Sequence, residues 1–208
     1  MKLAILGATG VVGYSVLQSA LQKDKFSAIV APSRLPLSCG DSDQKLKNPT
    51  HMDLRLACDS IQVDAAICAL GTTLKQAGSK EKFQEIDKDL VIQLAYILKN
   101  SGCKHFAYVS SLGATPGRNF YLNSKYETEQ ALKAIGFESL TIVRPSLINH
   151  IRSTSRPAEK IGVYAARFLA PIIPRKYKAV KPEQIALSLI QSIENPKDGI
   201  HIVESNKL

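Results

Sequence analysis

Tyr121 and Lys125 stand four positions apart, the spacing that sets two side chains on one face of a helix. A phenol with a pKa of about 10 is a poor proton carrier at neutral pH. An ammonium one turn away, with a helix N-terminus beneath the ring, stabilises the phenolate and moves that pKa toward the working range. Upstream, Phe106-Ala107-Tyr108-Val109 reads as a strand that ends in Ser110-Ser111. Together these residues fit proton transfer coupled to hydride transfer. Ser111 would hold a substrate oxygen as charge shifts on it, Tyr121 would exchange its proton with that oxygen, and Lys125 would also bind the ribose hydroxyls of a nicotinamide nucleotide. Ser110, one residue earlier on an alternating strand, is expected to turn toward the sheet. A Tyr-x-x-x-Lys pair on a surface helix is usually just two solvated side chains. Its position after Ser110-Ser111 and downstream of a glycine loop gives it weight. Residues 113 to 120 must fold back tightly, which Pro116 and Gly117 permit.

The glycine loop opens the chain. Lys2 to Leu6 has a buried-strand pattern and runs directly into Gly7-Ala8-Thr9-Gly10-Val11-Val12-Gly13, which begins an amphipathic segment. The first glycine permits a tight turn, the second lets backbone N–H groups approach a pyrophosphate, and the third lets the helix pack close to the strand. The helix N-terminus then offers free N–H groups and its positive dipole end to phosphate. Gly7, Thr9, Gly10, Val11, Val12 and Gly13 are therefore expected to bind a dinucleotide. No Gly-Lys-Ser/Thr ending follows, which disfavours a nucleoside-triphosphate loop. Where an NAD site usually places an acidic residue at the adenosine ribose, this chain has Pro32-Ser33-Arg34. A guanidinium stacks on adenine and pairs with a 2′-phosphate, so Arg34, helped by Ser33, predicts NADP(H) in preference to NAD(H). Asp53 could accept from the adenine amino group or cap the following helix. Leu70-Gly71-Thr72-Thr73, at the end of another strand, would let backbone pass beneath the cofactor riboses.

Short apolar runs alternate with longer stretches of helical period, the pattern of βαβ units around a parallel sheet. Strands are expected at residues 2 to 6, 26 to 31, 49 to 52, 64 to 69, 104 to 110, 139 to 144 and 200 to 204. Helices are expected at 11 to 22, 82 to 99, 121 to 135, 158 to 169 and 182 to 194, with loops at 32 to 48 and 145 to 157. The predicted fold is α/β, a Rossmann-type doubly wound parallel sheet of about seven strands in the order 3-2-1-4-5-6-7 with a small C-terminal helical substrate cap. Residues 1 to 208 are read as one nucleotide-binding domain, with the substrate-side elements mainly in 145 to 181.

The formal net charge is +9, from 27 Lys and Arg against 18 Asp and Glu. The second half holds most of it, and residues 152 to 181 are the densest part. That segment reads as a solvated rim, or as a patch for a protein or acidic surface. No aromatic platform or recognition motif accompanies it, so sequence-specific nucleic-acid binding is not expected. The cysteines Cys39, Cys58, Cys68 and Cys103 are widely spaced without a metal-binding pattern, so no metal is expected. No stretch approaches the roughly 20 apolar residues of a membrane span, and the expected location is cytoplasmic.

Several of these residues resemble the short-chain dehydrogenase/reductase superfamily in its atypical or extended branch: the loop Gly7 to Gly13, Val109-Ser110-Ser111, Tyr121 to Lys125, and Arg144-Pro145-Ser146. Within that branch, Cys68 to Thr73, Ala77-Gly78-Ser79, Gly102 to Phe106, Asn119 to Leu122 and Ser155-Arg156-Pro157 resemble the Tat-interacting oxidoreductase-like proteins. The resemblance implies a Rossmann fold, NADP(H) binding and a Ser111, Tyr121, Lys125 triad, with Pro145, Ser146 and Leu147 beside the nicotinamide. Classical members of the superfamily add a catalytic Asn on the helix after the fourth strand, and none is identifiable between Phe83 and Asn100. The expected function is an NADP(H)-dependent reductase or dehydrogenase acting on a small carbonyl or alcohol. The alternative is an NADP(H)-binding regulatory or assembly protein with little or no turnover.

Overall fold

The computed structural model describes residues 1 to 37, 44 to 149 and 174 to 208. The predicted helix at 158 to 169, and with it most of the expected substrate cap and basic segment, lies outside the described residues.

Seven strands form one sheet: β1 (Lys2–Leu6), β2 (Ala28–Val30), β3 (Leu46–Lys47), β4 (Ala65–Cys68), β5 (His105–Val109), β6 (Ser139–Arg144) and β7 (Gly199–Glu204). Their order is β3-β2-β1-β4-β5-β6-β7 and every pairing is parallel, as the alternation of elements predicts. The central strands are continuously apolar because both faces are covered. Leu3 and Ile5 of β1, with Ile67 and Val143, meet Val16 and Leu17 of α1 (Val11–Leu21) and Ile185 and Leu189 of α7 (Pro182–Glu194) on one side. Ala4 and Leu6, with Phe106 and Ile142, meet Leu94 and Leu98 of α5 (Leu90–Asn100) and Leu132 of α6 (Phe120–Ile135) on the other. Successive residues of β1 thus feed opposite cores, which fixes its register.

The order reverses between β1 and β4, where their carboxyl ends diverge and a crevice opens. Three departures from the predicted elements matter for it. The third strand is Leu46–Lys47, not 49 to 52. Beyond it, among the described residues, the ladder continues by the single bridge Ser33 to Thr50, since Pro49 has no N–H to donate. Two short helices lie outside the predicted ranges: α2 (Leu54–Cys58), the helix that Asp53 was read as able to cap, and α3 (Leu74–Ala77), capped by Thr73. Finally, the predicted helix at 82 to 99 is three pieces: α4 (Lys80–Gln84), a π turn at Glu85–Asp89, and α5. A π turn inserts one residue into helical register. Here it buries a carboxylate, Asp87.

Candidate functional site

The crevice has a volume of about 1130 Å³, the scale of a ligand cleft. Its lining runs from the glycine loop, through Arg34 and Asp53, to Tyr121 and Lys125. Gly7, Thr9, Gly10, Val11 and Val12 all line it. Gly7 has φ +88°, and a Cβ there would lie 2.8 Å from the Leu70 nitrogen. Gly13 does not line the crevice and acts from behind. A Cβ on Gly13 would sit 2.0 Å from the Gly7 carbonyl oxygen, so α1 packs this closely only because position 13 has no side chain. Gly13→Ala should therefore push α1 off the loop at a cost of about 1–3 kcal/mol. Urea unfolding would show the lowered midpoint, and an unchanged midpoint would contradict the close packing. Gly10 caps α1 without a side-chain bond, leaving the first N–H groups of the helix for a phosphate. These features fit a dinucleotide.

At the far end of the crevice, Arg34 is exposed, and no carboxylate pairs with it among the described residues. The loop that carries it is braced by Asn48, a residue the sequence reading missed. The Asn48 amide donates to the Ala31 carbonyl at 2.6 Å and to Ser33 Oγ at 2.7 Å. Ser33 Oγ in turn donates to the Leu35 carbonyl at 2.6 Å, so this hydroxyl holds the loop in shape. Asp53 takes the capping option: its side chain accepts from the Arg55 N–H at 3.0 Å and pairs with the Arg55 guanidinium at 2.6 Å. Hydrogen bonds from Arg55 hold the Asp53 carboxyl down at about 2.

Tyr121 lies in the first turn of α6, where the capping side chain of Asn119 accepts from the Leu122 N–H at 3.1 Å. Its ring packs against Phe83, centroids 5.8 Å apart. Lys125, one turn on, is buried. Its ammonium pairs with Asp87 at 2.8 Å and donates to the Tyr108 hydroxyl at 3.2 Å. Burial presses this ammonium to lose its proton, but Tyr108, Asp87 and Tyr121 oppose that and hold its pKa above the ordinary lysine value. Burial pushes the Tyr108 phenol up to about 12, so it stays protonated at neutral pH. Leu70, Gly71 and Thr72 line the crevice, and Thr72 donates its N–H to Asp87 at 2.5 Å. Gly71 lies against this pair, since a Cβ there would be 3.3 Å from Asp87 Oδ1.

The two serines do not divide as expected: Ser110, read as turning toward the sheet, is the one that lines the crevice, although its hydroxyl is engaged inside the protein. Ser110 Oγ donates to buried Glu129 at 2.5 Å, and Glu129 is bound in turn by Arg144. Ser111 is half-buried and is not among the residues lining the crevice. Pro145, Ser146 and Leu147 do not line it either, although the next residue, Ile148, does. Their segment is stitched to residues 178 to 180: Ser146 Oγ donates to the Lys178 carbonyl, and Val180 donates to Leu147 at 2.9 Å. Among the described residues, no cluster of His, Cys, Asp and Glu could hold a metal, and no helix is long and apolar enough to cross a membrane.

A sheet of this order, with a glycine turn at its switch point and a Tyr-Lys helix across the crevice, defines a nicotinamide-nucleotide-binding protein of oxidoreductase type. The chain belongs to the NAD(P)H-binding family, whose model matches residues 7–196, and it is an atypical short-chain dehydrogenase/reductase of the HTATIP-like type. It is 33% identical over 188 residues to the protein fmp52, mitochondrial, of Emericella nidulans, covering 86% of this chain and 79% of that one. It is 29% identical over 211 residues to the protein HTATIP2 of Rattus norvegicus, covering 98% and 85%. In fold it is similar to the Bordetella bronchiseptica enzyme WbmH, solved with NAD+, with a TM-score of 0.71 at 14% identity over 98% of this chain and 75% of that one.

Proposed function

We propose that this protein is an NADP(H)-dependent reductase or dehydrogenase of a small carbonyl or alcohol, with Ser111, Tyr121 and Lys125 as its chemical residues. The observation that carries the reading is that Tyr121 and Lys125 line the same crevice as the glycine loop. The nucleotide, when bound, supplies or accepts the hydride. Gly10 and the start of α1 would hold its pyrophosphate, Arg34 its 2′-phosphate, and Lys125 its ribose hydroxyls, with Pro145, Ser146 and Leu147 flanking the nicotinamide. Tyr121 gives its hydroxyl proton to the carbonyl oxygen in reduction and takes it back in oxidation.

Initial-rate assays with NADPH and NADH against a panel of aldehydes and ketones test this reading. Oxidation of NADPH by at least one compound, faster than that of NADH, supports it, and no turnover across the panel rejects it. Arg34→Ala should lower NADPH affinity about tenfold, the loss of one charge-assisted contact of about 1.4 kcal/mol, with little change for NADH. An unchanged ratio of the two affinities, measured by fluorescence titration, would remove the 2′-phosphate contact. A second reading, a nucleotide-binding regulatory protein without turnover, draws support from Ser111, which lies outside the crevice lining. For location, the cytoplasm is proposed against relatives whose names place them in mitochondria, and imaging of a tagged full chain decides.

A further inference from the structure

We propose that Asp87 is a fourth member of this site, a positioning carboxylate that keeps the Lys125 ammonium charged and fixed inside the protein and ties it to the turn at Thr72. The inference rests on the reading of Lys125 as a ribose-binding residue given above.

Asp87 is 1% exposed and Lys125 4%, so neither charge is neutralised by water. A buried ammonium without a counter-charge loses its proton rather than stay charged. The groups facing Lys125 leave one candidate for that counter-charge. From β5 comes Tyr108, from β4 Cys68, from its own helix Tyr121, and from the π turn Asp87. Burial pushes both the Cys68 thiol and the Tyr108 phenol up to about 12, so neither is an anion at neutral pH. Glu129, one turn further along α6, is held by Arg144 at 2.5 Å. Asp87 therefore supplies the carboxylate, and Lys125 is the one partner of its Oδ1 among the described residues.

The two oxygens of Asp87 divide the work. Oδ1 takes the ammonium at 2.8 Å, and Oδ2 takes the Thr72 N–H at 2.5 Å. Thr72 belongs to the turn after β4 that lines the crevice, so one carboxylate joins that turn to α6. An ammonium has three N–H donors. With Asp87 and Tyr108 using two, one is left for a ligand hydroxyl. The π turn is the device that delivers Asp87: the Thr128 hydroxyl of α6, which donates to the Ser124 carbonyl at 2.9 Å, also lies 3.4 Å from the Asp87 carbonyl, where the turn packs onto the helix that carries Lys125.

The experiment compares the full-length protein with Asp87→Asn, which keeps the shape and the acceptor for Thr72 but removes the charge. Lys125 is followed by NMR of lysine labelled with 13C at Cε and assigned with Lys125→Met, and the dissociation constant of NADPH is measured by fluorescence from pH 7 to 9.5. In the wild type, Lys125 should show no titration over this range, and affinity should change less than twofold for that reason. In Asp87→Asn, the ammonium should titrate within it and NADPH should bind at least tenfold more weakly at pH 9.5 than at pH 7. The pH slope of stability should also reverse between the two proteins. A raised lysine pKa stabilises below the unfolded value of about 10.4 and loses that effect above it, whereas a depressed one weakens the fold at neutral pH and regains stability as pH rises. The same Lys125 titration in both proteins overturns the proposal. If Asp87→Asn does not fold, the double variant Asp87→Asn/Lys125→Met, which removes both charges, should fold, and its failure to do so overturns the charge-holding role. If NADPH does not bind the wild type, the functional reading falls while the NMR result still decides on Asp87.

Discussion

Tyr121→Phe should lower carbonyl turnover by about 10²–10⁴-fold, the range that a positioned proton donor contributes, and leave the NADPH dissociation constant within about twofold. The separation is expected because the ring and the hydroxyl do different things. The ring packs at 5.8 Å from Phe83, whose other aromatic neighbour is Phe120 at 5.7 Å, and a phenyl group keeps those contacts. The hydroxyl makes no hydrogen bond to a described residue, so its removal strands no partner. Lys125, assigned the ribose hydroxyls, keeps its links to Asp87 and Tyr108 in the variant. Initial rates at saturating NADPH, with a fluorescence titration and a thermal melt on the same sample, check all three expectations. Retained turnover would show that the proton comes from elsewhere. A loss of affinity matching the loss of rate would place Tyr121 in binding. If the wild type itself turns over no substrate, the regulatory reading takes precedence.

The parts of this site that depend on neighbouring residues were legible in the sequence, and those that depend on distant ones were not. The glycine loop works through steric demands within seven residues, and the Tyr121 and Lys125 pair through one helical turn, so spacing alone placed both. The unbroken apolar run of β1 and those of β4 to β6 likewise reported a sheet covered on both sides. Asp87 escaped because Glu85 to Asp89 carries four charged residues in five, which reads as a solvated helix face. The π turn shifts the register that would have shown one of them pointing inward. Leu46–Lys47 escaped because an edge strand two residues long shows no period. Asn48 and Tyr108 have the types of an ordinary loop residue and an ordinary core residue. Only the fold shows that one braces the Arg34 loop and the other receives an N–H from Lys125.

The largest stability loss is expected at Arg144. Glu129 is fully buried, and Arg144 serves it twice, through Nε at 2.9 Å and Nη2 at 2.5 Å, while its third link reaches Glu204 on β7 at 3.2 Å. These links join α6, β6 and β7, and Ser110 completes them from the end of β5. Arg144→Met keeps the apolar stem but leaves the Glu129 carboxylate with only the Ser110 hydroxyl in a dry interior. Removing one partner of a buried ion pair costs about 3–5 kcal/mol, a large share of a typical domain's stability. A second substitution distinguishes this cause from a packing defect. Adding Glu129→Gln to Arg144→Met removes the buried charge and should recover part of the loss. Urea unfolding of the single and double variants measures this directly, and an equal loss in both would assign the defect to packing. Since the same network holds Ser110 next to Ser111, and Arg144 next to Pro145, the single variant should also weaken NADPH binding at a temperature where it remains folded.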